Sequence, residues 1–418
     1  MMAGMPPRRA ARHERYSGLS LVRAVNEDRV LEAVLAHGPI SRSDLGRLLG
    51  ISKPTVSSIM TGLEDAGLVR TVGSQASGVG RPATLYTLNR QAGYVLGIDL
   101  GGTPLRAILA DLYGDVVEYV STPLDARTPK SILAQLADVK RQLLDATAIE
   151  PDLLQAATVG VPGILDPELR RTRAAYNVPA LSELDLQRDI AEALGVPVHI
   201  ENDVNLSALG EGWRGGAVGF ANFVVIAVDT GVGMGIVIDG ELYRGPSGAA
   251  GEIDFLPLAA DGVPEASGHG PLEGAISAPA VLHRHERAGG HAASVQEIVA
   301  AAQTGDPIAA RTIEEIVSAL AHAIASVVCV LDPQRVILAG GVGALDELLE
   351  PVRVAVDRRV PSPVTIETSP LADRGVAYGA LAVALRQARQ GLLEASSYAP
   401  EPPSGPRNRS TRPWSSLA

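Results

Sequence analysis

Two stretches of the chain repeat one pattern. GYVLGIDLGGTPLRAILADLYGD (93–115) and FVVIAVDTGVGMGIVIDGELYRG (223–245) each carry an apolar strand, a glycine-rich turn, a returning strand and a further turn. Apolar runs this short, punctuated by glycine, predict strands rather than helices, and their repetition implies two related halves. In the first copy the strand runs into Asp99 and turns through Gly101, Gly102 and Thr103. In the second the turn is Thr230-Gly231-Val232-Gly233. A glycine-rich hairpin of this kind brings backbone N–H groups and a threonine hydroxyl close to a phosphate, and a carboxylate at the strand end can hold a hydrated cation. One copy alone fits an ordinary tight hairpin as well. A third glycine turn, Gly340-Gly341 in RVILAGGVG, follows another apolar strand at a place where an adenosine can lie.

Charge divides the chain. Residues 1–90 hold 12 Lys+Arg against 7 Asp+Glu, a balance of +5, whereas the remainder holds 24 against 40, or −16. The positive end suits contact with phosphates, and the acidic remainder would repel nucleic acid. At 418 residues the chain has room for two or three domains. No apolar run is expected to approach the roughly 20 residues that a bilayer needs, and the arginine-rich opening lacks the apolar core of a secretory signal. A cytoplasmic protein without membrane contact is the expectation. The single cysteine, Cys329, permits no internal disulfide. Its neighbours in ASVVCVLDP predict a buried small residue.

The positive end predicts three helices and two strands. In NEDRVLEAVLAHGP, Val30, Leu31, Val34 and Leu35 fall at helical spacing, and Gly38-Pro39 stops the helix. Ser41 can cap a short second helix that Gly50 closes, and Ser52 a third whose apolar face is Val56, Ile59, Met60 and Leu63. Lys53, Thr55, Ser57 and Ser58 point elsewhere. Two short helices joined by a tight glycine turn match helix-turn-helix docking in a major groove. The following GLVRTVGSQASGVGRPATLYTLN makes two strands around a loop, a wing, with Arg81-Pro82 on it. Candidate DNA contacts are therefore Arg42, Ser52, Lys53, Thr55, Ser57 and Ser58, with Arg81 placed to enter a narrow minor groove. A small helical bundle with a solvated polar face is the alternative for the module, and a plain turn arginine the alternative for Arg81.

The duplicated pattern resembles the actin, sugar kinase and heat-shock ATPase architecture, in which two α/β halves close on a nucleotide. Three further segments narrow the likeness: VGVPGILDP (159–167), HIENDVNLSALGE (199–211), and GAAGEIDFLPL (248–258) followed by GPLEGAISAPA (270–280). Behind a winged helix-turn-helix and in this order, they resemble the ROK family, which unites sugar kinases with sugar-responsive repressors; the likeness spans about residues 20–390. It implies that Asn202 and Asp203 contact sugar hydroxyls, Asp203 standing at the general-base position of the kinases, and that Glu252 and Glu273 are further sugar contacts. It also makes Asp99, Gly101, Gly102, Thr103, Thr230, Gly231, Gly340 and Gly341 ancestral nucleotide and phosphate loops. A helix cap or a solvated charge is the alternative for each acidic residue.

The chain departs from the family's pattern. Where GEIGH and CxCGxxGCxE supply one histidine and three cysteines to zinc, Phe255, Pro264, Ala266 and Pro271 stand here, and His269 and His283 nearby do not make a site. No structural zinc is expected. By the resemblance Phe255 also removes a sugar contact, which leaves Asp254 as a partial substitute, or the pocket suited to a different sugar, a phosphosugar or no sugar. Pro104 follows Thr103 where DLGGTK would place a lysine, and Asp229 puts negative charge near the presumed phosphate site, so ATP and Mg²⁺ are disfavoured.

The expected fold is α/β: an N-terminal winged helix-turn-helix and an actin/sugar-kinase-like (ribonuclease H-like) two-lobed domain. The domain expectation is a disordered lead at 1–17, the DNA-binding module at 18–90, the sensor domain at 91–394 and a disordered, Pro/Ser-rich tail at 395–418. Within the sensor domain, RGVAYGALAVALRQA should form a last helix against the nucleotide lobe. The expected function is a repressor of carbohydrate genes that binds double-stranded operator DNA as a homodimer or homotetramer, under control of a sugar or phosphosugar. An ATP-dependent sugar kinase with an accessory DNA module, and a constitutive DNA-binding protein with an inert sensor, are the competitors.

Overall fold

The computed structural model describes residues 18–75, 82–102, 104–166, 171–173, 175, 178–257 and 270–397. Their described residues up to Ala92, with those from Arg389 onward, form one compact unit, and Gly93–Ala388 another.

In the first unit α1 (Gly18–His37) ends before Gly38-Pro39, and β1 (Ile40–Ser41) leads into α2 (Arg42–Leu49). The Ser41 hydroxyl accepts the Asp44 N–H, and Gly50 ends α2 in the left-handed conformation at φ 67°. α3 (Lys53–Asp65) starts at Ser52, whose hydroxyl accepts the Thr55 N–H, and buries Val56, Ile59, Met60 and Leu63. Each of these apolar side chains contributes about 1.5–3 kcal/mol by leaving water. β2 (Val69–Gln75) and β3 (Ala83–Leu88) pair antiparallel, and β1 pairs on the other side of β3. Helix-turn-helix and wing are both present. The backbone of α1 is longer than the predicted helix, reaching back to Gly18, and Leu35 is exposed while Val30, Leu31 and Val34 are buried. Arg81 lies outside the described residues, as do residues 1–17.

The second unit holds two five-stranded sheets of one topology. The first comprises β4 (Tyr94–Asp99), β5 (Leu105–Asp111), β6 (Val116–Thr122), β7 (Leu154–Val161) and, after a short hairpin of β8 (Ile164–Asp166) and β9 (Arg171–Arg173), β10 (Val198–Asn202). Its order is β10-β7-β4-β5-β6: an antiparallel meander followed outward by two parallel strands. α4 (Pro129–Thr147) and α5 (Leu186–Leu194) supply Leu136, Val139, Leu143 and Ile190 to the core on this sheet. α6 (Asp203–Arg214) leads to the second sheet of β11 (Phe223–Val228), β12 (Val232–Ile238) and β13 (Glu241–Leu242). After α7 (Pro271–Ile276), α8 (Ala278–Arg287), α9 (Val295–Gln303) and α10 (Pro307–Leu331) the chain adds β14 (Arg335–Ala339), the short α11 (Gly340–Gly343), α12 (Asp346–Asp357) and β15 (Thr365–Thr368). The order β13-β12-β11-β14-β15 repeats the first sheet strand for strand. α13 (Gly375–Ser397) ends the described chain.

The structure corrects several expectations. α10 is a 25-residue helix with a window of mean hydropathy 1.8, long and apolar enough to cross a membrane by length and composition. The sequence from Ile316 to Leu331 carries no Asp, Glu, Lys or Arg, which overturns the expectation that no apolar run approaches that length. Its stripe of Ile316, Leu320, Ala323, Ile324 and Val327 belongs to the core of the second half. Cys329 is exposed, not buried. It falls seven residues, two helical turns, after exposed His322 and so on the outward side of α10. α13 lies close to both the first sheet and α6: a Cβ on Gly97 of β4 would lie 2.6 Å from the Ala377 carbonyl, and one on Gly379 1.8 Å from that of Leu206 in α6. The missing side chains at both glycines allow backbone to touch backbone. α13 also carries residues 395–397, so that part of the predicted disordered tail is helical, while residues 398–418 lie outside the described chain.

Candidate functional site

Between the two sheets of the second unit lies a cleft of about 560 Å³. It brings together residues from segments far apart in the chain: Asp99, Gly101 and Gly102 from the first hairpin, Asn202 and Asp203 from the β10–α6 junction, Thr230 and Gly231 from the second hairpin, Glu252 and Glu273, and Gly340 and Gly341. Every described residue expected in the sensor pocket or its phosphate loops lines this space. Thr103 lies outside the described residues, as do Pro264, Ala266 and His269.

Local chemistry positions each group. Asn202 caps α6: its side-chain oxygen accepts the Asn205 N–H at 2.9 Å, and its amide donates to the Gly163 carbonyl at 3.2 Å. Asn202 is thus a helix cap as well as a cleft residue. Asp203 follows in the first turn of α6, its Oδ1 accepting the Val204 N–H at 2.8 Å. Burial, and then the carboxylates of Asp99 and Glu252, push Asp203 up to about 7. Its Oδ2 would lie 2.2 Å from a Cβ on Gly101, so the first hairpin and this carboxylate touch only because residue 101 has no side chain. Glu252 is held by the loop 248–252, where Gly251 adopts φ 97° and a Cβ would stand 1.8 Å from the Met234 carbonyl. Burial, Asp254 and Glu273 push Glu252 up to about 7 as well. In the first turn of α7, Glu273 accepts the Val232 N–H at 3.2 Å and so braces the second hairpin.

The cleft is strongly acidic. Asp99, Asp203, Asp229, Glu252, Asp254, Glu273 and Asp373 line it, against one cation among the described lining residues, Arg106. Sequence reasoning passed over Arg106. Its signal was the hairpin register, since Arg106 pairs directly across from Asp99. Its Nη1 lies 3.5 Å from Asp99 Oδ2 and its Nε donates to Asp373 Oδ2 at 2.9 Å. A second arginine also escaped notice: Arg244, just past β13, donates from Nε at 2.8 Å and from Nη2 at 2.6 Å to the buried Glu201 Oε2. Glu201 precedes Asn202 and accepts the Asn202 N–H at 3.0 Å and the Asn205 amide at 3.0 Å. This ion pair ties the second half to the strand end that carries Asn202 and Asp203. No local pattern joins residues 201 and 244. Phe255 is 55% exposed, so its ring stands at the cleft's edge rather than filling the place of a ligand-binding imidazole. Among the described residues no group of three His, Cys, Asp or Glu side chains could hold a metal ion.

In the helical head, Ser52, Lys53, Thr55 and Ser58 are exposed at the start of α3, and Ser57 is half-buried. Arg42 is engaged inside the head. It pairs with Glu64 at 3.3 Å, reaches Ser57 Oγ at 3.5 Å and lies 5.0 Å over the Tyr86 ring. These contacts hold α2, α3 and β3 together, so the geometry makes Arg42 a brace of the head rather than a free contact.

Comparison with known proteins follows the same division. The model of the ROK family matches residues 95–387, and that of the MarR family residues 25–78. The xylose repressor of Bacillus subtilis (strain 168) is 32% identical over 243 residues, 58% of this chain and 63% of the repressor's length. The xylose repressor of Caldicellulosiruptor bescii is 28% identical over 387 residues, 88% of this chain and 96% of its own. A solved ROK family transcriptional regulator, described as a homolog of the E. coli MLC protein, superposes with a TM-score of 0.73 at 25% identity, covering 90% of this chain and 98% of that one. A cleft between duplicated sheets, the residues that line it and a family match over more than half of the sequence lead to one conclusion: the chain belongs to the ROK family, with a MarR-type winged helix at its amino-terminal end.

Proposed function

We propose that the chain is a sugar-responsive transcriptional repressor whose winged helix binds double-stranded operator DNA and whose cleft binds the effector. The observation that carries this reading is α3, which is capped at Ser52, anchored by four buried apolar residues and exposes Lys53, Thr55 and Ser58 at its amino-terminal end. Side chains from the first turns of such a helix reach base edges in the major groove. Likeness to two proteins named xylose repressor, one aligned over nearly its whole length, supports the same reading. Two heads about one DNA turn apart would bind a palindromic operator, so the proposed assembly is a homodimer or a homotetramer. Differential affinity of roughly 5 kcal/mol between two states of the cleft would move the population from bound to free operator. The acid-rich lining favours a neutral sugar over a phosphosugar, since a phosphate would face several carboxyl groups and a single cation among the described lining residues.

Selecting genomic fragments on the purified chain, then adding sugars, tests the reading. Retention of a discrete sequence and its release or tightening by one sugar is expected; equal retention of scrambled duplex under every sugar would overturn it.

One observation favours a second reading, an ATP-dependent sugar kinase: Asp203 held near 7 suits a general base that takes a hydroxyl proton at neutral pH. Pro104 and Asp229 count against it, the one removing a backbone donor from the first hairpin, the other setting a carboxylate 3.1 Å from where a Cβ on Gly341 would stand. A coupled ATP assay across hexoses decides, with Asp203-dependent turnover establishing the kinase.

A further inference from the structure

A nucleotide-binding hairpin of the kind the family implies needs a hydrated divalent cation beside its strand-end carboxylate, to bridge that carboxylate to phosphate oxygens. The residues of the first hairpin do not fit that ion. Asp99 Oδ1 accepts the Gly101 N–H at 2.9 Å, and Asp99 Oδ2 faces Arg106 Nη1 at 3.5 Å. Arg106 reaches its place from the directly opposed position on β5. The same guanidinium donates to the Pro104 carbonyl at 3.3 Å and to Asp373 at 2.9 Å. Asp373 belongs to the helical turn 372–374 that precedes α13, so one side chain joins both strands of the hairpin to the last helix's entry. Arg106 is itself only 18% exposed, and a divalent ion on Asp99 would meet its charge with little intervening water.

We propose that Arg106 is a resident cation standing in for a divalent metal at the phosphate hairpin, so that the cleft is organised without metal or nucleotide. An arginine suits this task better than a lysine would, because its planar fork donates to two carboxylates and a carbonyl at once and never loses its charge. Removing it leaves Asp99 and Asp373 facing the cleft without their counter-charge, and a divalent cation becomes the natural replacement.

Thermal melting of the full-length chain, with no DNA present, tests the proposal independently of the operator reading. Wild-type chain is expected to melt at the same temperature in millimolar MgCl₂ as in NaCl of matched ionic strength. Arg106→Ala should melt lower in NaCl and recover selectively in MgCl₂. Arg106→Lys should stay indifferent to Mg²⁺. Equal Mg²⁺ responses in wild type and Arg106→Ala, or no response in the variant, would overturn the proposal. If Arg106→Ala does not fold, electron paramagnetic resonance of Mn²⁺ with wild-type chain decides alone: no bound Mn²⁺ supports the resident cation, and stoichiometric Mn²⁺ lost in Asp99→Asn refutes it.

Discussion

On α3, Lys53, Thr55 and Ser58 stand in water above a face of fully packed apolar residues, whereas in the cleft Asp203 and Glu252 sit half-buried beside other carboxylates. The head keeps its polar groups ready for a partner that brings its own charge. In the cleft and just behind it, polar groups already act on one another, through Asp99 with Arg106 and Glu201 with Arg244. Substitutions of these exposed side chains on α3 should therefore change binding and leave stability alone, while polar substitutions in the cleft should change both.

The largest contrast lies at glycines. Gly251→Ala should cost about 2–6 kcal/mol, combining backbone strain at positive φ with overlap on the Met234 carbonyl. Denaturant melts measure this, and a near-neutral Gly251→Ala would show that the loop carrying Glu252 moves freely.

Next comes pH. Asp203 is held near 7 against an ordinary 3.8, so between those values the folded chain binds more protons than the unfolded chain. Stability from this group is present below the ordinary value and declines as pH rises through about 7, by at most about 4 kcal/mol. Asp203→Asn should flatten the decline, so that the variant gains on wild type from pH 5 to pH 8 in parallel melts. A constant difference across that range would place the carboxylate in open solvent.

Smaller effects belong to the head. Lys53→Ala and Thr55→Ala should each weaken operator binding by about 1–3 kcal/mol, more than they weaken random DNA, with melting unchanged. Equal losses on both duplexes, in competition binding at fixed salt, would assign these residues to phosphates instead. The smallest is Gly62→Ala on α3, where nothing beyond the helix's own backbone and the adjoining residues lies within 4 Å of the new methyl; it should stabilise by about 0.5–1 kcal/mol. Opposite signs at Gly62 and Gly251 would sharpen the contrast between an open helix surface and a packed cleft.

The head was legible residue by residue because its signals are local. Ser41, Gly50, Ser52 and Pro54 act within one helical turn, and the four buried residues of α3 recur at its period. The contacts of Arg42 within the head were not legible for the converse reason: its partners, Glu64 and Tyr86, are 22 and 44 positions away. In the cleft, glycine turns and strand-end acids were visible as motifs, and the duplicated hairpin implied the duplicated sheet.

The hairpins, apolar faces and helix caps followed from the sequence by itself, since backbone hydrogen bonding and hydrophobic periodicity act over a few residues, whereas the parallel strand order came only with the packed sheets. Which charge answers which was decided only in the tertiary structure. Asp373 meets Arg106 across 267 positions of chain and Glu201 meets Arg244 across 43, and Coulomb energy depends on distance in space, which only the packed sheets set.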